Sequence, residues 1–94
     1  MNEEIKDFIY PMFAYRDNKA SSFTPPFVCV NVAVAKRDFD YRLNNDKSMG
    51  FSPSDYDLYQ LGYFNSTTGE IKAILPEFIV NGGEFWWRLI KEKM

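Results

Sequence analysis

The first apolar stretch of the chain predicts a β-strand. Residues 8–15 are dense in aromatic side chains, which favour strands, and Pro11 confines the start of this strand to a sheet edge or to the strand's entry. We therefore expect residues 1–11 to form an extension that leads into the first strand. Farther along, Pro25 and Pro26 hold the chain in an extended path across the surface.

Helical spacing replaces this pattern after Asn31. Asn31 is a favourable N-cap, and the apolar residues that follow it recur at helical intervals as far as about Asn44. These apolar residues are Val32, Ala35, Phe39 and Leu43. The spacing predicts a helix with one apolar face.

The second half of the chain predicts a β-hairpin. Residues 56–64 alternate between two sheet faces, which places Tyr59 and Tyr63 together on one of them. A turn that contains Gly69 leads into a returning strand, and we expect Pro76 to end that strand.

An amphipathic stretch at residues 84–94 predicts a C-terminal helix. The predicted order is then β-α-β-β-α, which indicates an α+β fold in which helices pack on one face of a small antiparallel sheet of three or more strands. The length of 94 residues favours a single domain over residues 1–94.

Charge and composition restrict the partners of this domain. A net charge of −2 gives the whole molecule no attraction for nucleic acid, so any nucleic-acid site must be a local patch. Aromatic residues make up 18% of the chain, which is enough to place some rings at the surface. The acidic start and the short apolar stretches predict a cytosolic protein without a membrane partner.

The residue types argue against catalysis. The sequence contains no histidine, which excludes Ser-His and Cys-His arrangements and removes the commonest metal ligand. Cys29 lies in an apolar stretch, which is typical of a buried, inert thiol. The carboxylate pairs of Asp38 with Asp40 and of Asp55 with Asp57 fit caps and solvated positions better than a metal site. We expect neither an enzyme nor a cofactor.

Aromatic and cationic side chains recur on neighbouring predicted strands. Rings stack on unpaired bases and cations meet phosphates, so this recurrence is compatible with a site for single-stranded DNA. The candidate residues are Tyr15, Arg16, Lys19, Tyr59, Tyr63 and Lys72. In the alternative interpretation, the same rings form the core beneath the helices and the cations are solvated.

The tail supplies candidates for a homodimer interface, namely Trp86, Trp87 and Ile90. At helical spacing Trp86 packs inward while Trp87 points elsewhere, so core packing and subunit contact remain alternatives.

The segment SPSDYDLYQLGYFN at 52–65, continued by TGEI at 68–71, resembles the small nonstructural protein of gokushovirus-type microviruses. Segments 16–20, 25–27 and 31–35 agree in order and spacing, while the first eleven residues and the tail depart from the pattern. The resemblance implies expression in the cytoplasm of an infected bacterial host. It also implies a role in the synthesis or handling of viral single-stranded DNA.

Together, these observations predict a phage nonstructural protein that contacts single-stranded DNA, or the replication complex that carries it, as a homodimer. The alternative is a homo-oligomeric protein-interaction module that binds a replication or capsid protein of the virus or host without nucleic acid.

Overall fold

A computed structural model describes residues 8–50 and 52–84, and the strands in this part of the chain join in one antiparallel sheet. The elements, in chain order, are β1 (Ile9–Asp17), β2 (Ser22–Phe23), β3 (Phe27–Val28), α1 (Val32–Asn45), α2 (Lys47–Gly50), a 3-10 turn (Pro53–Asp55), β4 (Tyr56–Asn65) and β5 (Ile71–Asn81). The sheet order is β2-β1-β4-β5, and β3 pairs with the part of β1 that β2 leaves open. The predicted α+β class with an antiparallel sheet is confirmed.

Helix α1 covers one face of the sheet and forms the core with it. Asn31 caps the helix as predicted, because its side-chain oxygen accepts a hydrogen bond of 2.8 Å from the Val34 N–H. The fully buried Phe39 meets β1, where its ring stacks on Tyr15 with centroids 5.0 Å apart. Leu58 of β4 is also fully buried in this cluster. The helix therefore holds the two central strands together through one apolar layer.

A bulge interrupts β4 at its centre. Met12 of β1 pairs with Gly62, but Phe13 pairs with Gln60, so Leu61 is an extra residue on β4. A glycine inside a strand marks either a bulge or a close backbone approach, and Gly62 shows both. A methyl group added at Gly62 would overlap the carbonyl oxygen of Lys72 on β5.

The prediction that Pro76 ends the returning strand is wrong, because β5 continues to Asn81. Ala73 and Glu77 of β5 pair with Gly62 and Gln60 of β4, so β5 has three residues between these pairs where β4 has one. Pro76 is one of the three and therefore lies in an irregular stretch of an edge strand. The missing N–H of a proline is tolerated at such a position.

The short strands β2 and β3 were not predicted. They flank residues 25–26, and both pair with β1 on the edge opposite β4, which widens the sheet. Residues 82–84 are helical, and the rest of the predicted C-terminal helix lies outside the described residues. Among the described residues, no helix has the length and apolar character that a membrane span requires.

We predict that Gly62→Ala lowers the free energy of unfolding by about 1–3 kcal/mol, because the new methyl group must displace the β5 backbone at Lys72. Gly69→Asn is the matched control. Gly69 has a φ of 81° with no atom near its Cβ position, and asparagine tolerates this conformation. Urea unfolding of both variants measures the difference, and an equal, small loss in both would contradict the close approach at Gly62.

We also predict a loss of stability at alkaline pH that depends on Tyr15. Burial raises the pKa of Tyr15 from 10.0 to about 12, although the nearby Arg42 opposes the increase. Above pH 10 the unfolded chain releases this proton while the folded chain keeps it. The contribution of Tyr15 to the free energy of unfolding is therefore complete below pH 10 and is lost by about pH 12. The expected slope is about 1.4 kcal/mol per pH unit.

Urea unfolding at a series of pH values measures this slope. In Tyr15→Phe the slope between pH 10 and pH 12 should be smaller than in the wild type by that amount. Identical slopes in the wild type and Tyr15→Phe would contradict the assignment.

Candidate binding surface

Four side chains from four strands form a continuous surface on the sheet face opposite α1. Side chains alternate along β1, so Arg16 points away from the core that contains Tyr15. Arg16 pairs with Phe23 of β2, and Tyr59 of β4 pairs with Phe78 of β5. Directly paired residues share a sheet face. We call this set, Arg16, Phe23, Tyr59 and Phe78, the open-face cluster.

The rings of the open-face cluster support one another. Tyr59 lies between the other two rings, with its centroid 5.3 Å from that of Phe23 and 5.9 Å from that of Phe78, both in edge-to-face geometry. The guanidinium carbon of Arg16 lies 5.4 Å from the Phe23 centroid. Each such contact contributes about 0.5–1.5 kcal/mol. Phe23 and Phe78 nevertheless remain 39% and 51% exposed, so the surface is both ordered and accessible.

A polar network holds Arg16 in place. Arg16 Nε donates to Asn18 Oδ1 at 3.0 Å, and Asn18 Nδ2 donates to a carboxylate oxygen of Asp57 at 2.8 Å. Asn81 Nδ2 donates to the other Asp57 oxygen at 2.7 Å. Asp57 is buried, so these two amides supply the hydrogen bonds that water would otherwise provide. The network ties β1, β4 and β5 together beside the open-face cluster.

Tyr63 and Lys72 are brought together, but on the other face of the sheet. They pair directly across β4 and β5, and they line a cavity of about 420 Å³ with Ile9, Asn65 and Glu70. Tyr59 pairs with Ala14 of β1 while Tyr63 pairs with Pro11, and residues three positions apart on a strand face opposite ways. The prediction that Tyr59 and Tyr63 share a face is wrong because of the bulge at Leu61.

Tyr15 does not reach the surface as predicted. It is 4% exposed, and its ring packs between Phe27 and Phe39 with both centroids at 5.0 Å. For this ring the alternative interpretation, core packing beneath the helix, is correct. Lys19 is exposed in the turn after β1, where its N–H donates to Asp17 Oδ1.

The sequence interpretation missed Phe23 and Phe78. Phe78 follows Pro76, and it is found as a strand residue only if the proline is assigned to an edge strand. Phe23 lies in a strand of two residues, too short for a periodic pattern. The interface candidates Trp86, Trp87 and Ile90 lie outside the described residues.

The described residues contain no group of three or more metal-ligating side chains that could hold a metal ion. Cys29 is buried, as predicted. Burial, with smaller contributions from the adjacent Asp38, raises the pKa of the Cys29 thiol, which makes the reactive thiolate less available.

A family described as Phage ORF5 protein matches residues 10–85 of the chain. The chain belongs to this family. The match spans the sheet from Tyr10 of β1 to the end of β5, and it supports the resemblance to a viral protein at the level of a small phage protein. Neither a curated protein nor a solved structure matches the chain.

Proposed function

We propose that this phage protein binds single-stranded DNA through the open-face cluster. The observation that carries the proposal is the contact of three rings from three strands, next to Arg16, on the face opposite α1. In this proposal the protein acts without catalysis in the synthesis or handling of viral single-stranded DNA. It is the nonstructural protein of a gokushovirus-type microvirus and works as a homodimer in the cytoplasm of the infected bacterium.

Stacking supplies most of the affinity in this proposal. Phe23 and Phe78 are the more exposed rings of the cluster, and the edge-to-face contacts with Tyr59 fix their orientation. Stacking of a base on an aromatic ring contributes about 1–3 kcal/mol. Because every base has a flat face, such a surface accepts many sequences.

Cations play a smaller part. Arg16 lies in the cluster and Lys19 is exposed in the turn that follows its strand, so about two phosphates can be neutralised there. Each neutralised phosphate of a single strand contributes a slope of about −0.7 to the dependence of log K on log salt concentration. The expected slope is therefore about −1.4.

A protein-interaction module is the second candidate function. The net charge of −2 disfavours contact with a polyanion, and Phe78 and Leu75 of β5 are 51% and 89% exposed. Exposed apolar side chains of this kind fit a protein partner, such as a replication or capsid protein of the virus or host.

Fluorescence anisotropy with a labelled oligo-dT tests the DNA proposal. The wild type should bind at about 50 mM salt, with the shallow salt dependence given above. Phe78→Ala should weaken binding by about tenfold, since it removes one stacking contact. Arg16→Gln should make the salt slope shallower by about 0.7.

Tyr63→Ala is the matched control, because it removes an exposed ring from the opposite sheet face. It should bind like the wild type, and an equal loss in Tyr63→Ala and Phe78→Ala would show that the open-face cluster is not the site. An absence of binding by the wild type at about 50 mM salt would exclude the DNA proposal and favour the protein-interaction module.

A further inference from the structure

A groove of about 590 Å³ lies between the β2 edge of the sheet and α1. Its floor contains Tyr15 and Phe27, whose ring centroids are 5.0 Å apart. Its rim contains Thr24 and Pro25. Thr24 is fixed to β1 by two hydrogen bonds, since its hydroxyl accepts from the Tyr15 N–H at 3.0 Å and its own N–H donates to the Tyr15 carbonyl at 2.8 Å. Floor and rim are therefore parts of the folded sheet. We call this cavity the edge groove.

Helix α1 supplies the charged and aromatic wall of the edge groove, which is formed by Asp38, Tyr41 and Arg42. Tyr41 is 69% exposed, so its ring is accessible to a ligand. An anion, a cation and an exposed ring therefore surround an apolar floor. This is the composition of a small-ligand pocket, in which apolar walls give contact area and a few polar groups give specificity.

The guanidinium of Arg42 is held in position, and most of its hydrogen-bond donors remain available. Its carbon lies 5.6 Å from the centroid of the Tyr15 ring, and its Nε lies 3.4 Å from an oxygen of Asp46 in an exposed i,i+4 pair. A guanidinium has five N–H donors, and this pair involves Nε alone. Exposed pairs of this kind contribute little stability. A phosphate can therefore accept from the remaining donors.

Asp38 retains acceptor capacity toward the edge groove. The Cys29 thiol, a weak donor, contacts one carboxylate oxygen of Asp38 at 3.8 Å. A carboxylate offers about four acceptor positions. A ligand amino group can occupy the others.

We propose that the edge groove binds one nucleotide of a single strand, and that it selects bases with an exocyclic amino group over thymine. Arg42 holds the phosphate, Tyr41 stacks on the base, and Asp38 accepts a hydrogen bond from the amino group. The N4 amino group of cytosine is a good donor to a carboxylate, whereas the O4 atom of thymine is an acceptor and meets the same carboxylate unfavourably. The inference rests on the proposed function and adds a base preference that the open-face cluster does not provide.

The edge groove and the open-face cluster meet at the β2 edge. Phe23 belongs to the cluster and Pro25 to the rim of the groove, two positions later in the chain. Two extended residues span about 7 Å. A DNA single strand with one base stacked on Phe23 can therefore pass over this edge of the sheet and place a neighbouring nucleotide in the edge groove.

Competition between oligo-dC and oligo-dT of equal length tests the inference at neutral pH. The wild type should bind oligo-dC about tenfold more tightly than oligo-dT, the discrimination expected for one good contact to a base edge. Asp38→Asn should abolish the preference, because the amide can accept from the cytosine amino group and can equally donate to the O4 atom of thymine. Asp40→Asn, which alters a carboxylate of the same helix whose Oδ1 accepts from the Asn44 side chain, should keep the preference.

A second variant separates the stacking role from folding. Tyr41→Ala should remove most of the preference for oligo-dC, while Tyr41→Phe should retain it, because the ring is what stacks. Equal affinity of the wild type for the two oligonucleotides, or an unchanged preference in Asp38→Asn, would overturn the proposed role of the edge groove. Either result would leave the proposed role of the open-face cluster unaffected. Failure of the wild type to bind either oligonucleotide would overturn the proposed function, and the inference that rests on it.

Discussion

One extra residue in β4 determines which faces of the sheet Tyr59 and Tyr63 occupy. Leu61 has no partner of its own on β1, so the residues on either side of it change faces relative to a regular strand. Tyr59 consequently joins the open-face cluster, and Tyr63 joins the cavity near the hairpin turn. Gly62 makes the arrangement possible, since a larger residue would collide with the β5 backbone at Lys72.

The alternation of β1 couples the core to the candidate binding surface. Tyr15 packs against Phe39 of α1, and its neighbour Arg16 must then point to the opposite face. The same helix contact fixes the floor of the edge groove, where the Tyr15 ring also lies beneath Arg42. Core packing therefore sets the position of both proposed contacts, and a mutation in this layer would move them together.

Local signals predicted much of this fold, and non-local pairing accounts for what they missed. The Asn31 cap, the apolar stripe of α1 and the turn at Gly69 are visible in short windows of sequence, and the structure contains them. The bulge at Leu61 depends on how two distant strands align, which no window contains. Pro76 was misinterpreted for a related reason. A strand tolerates a proline if it lies at the edge of the sheet, and the position of a strand in the sheet depends on the other strands.

The acidic balance of the chain decides which kind of DNA contact is feasible. The carboxylate of the buried Asp57 accepts its hydrogen bonds from the amides of Asn18 and Asn81 and forms no direct ion pair in that network. Arg16 donates through Nε to Asn18, and its other N–H groups can meet a phosphate. With so few cations near the rings, Coulombic attraction would supply little of the affinity in the proposed DNA contact, and stacking would have to supply the rest.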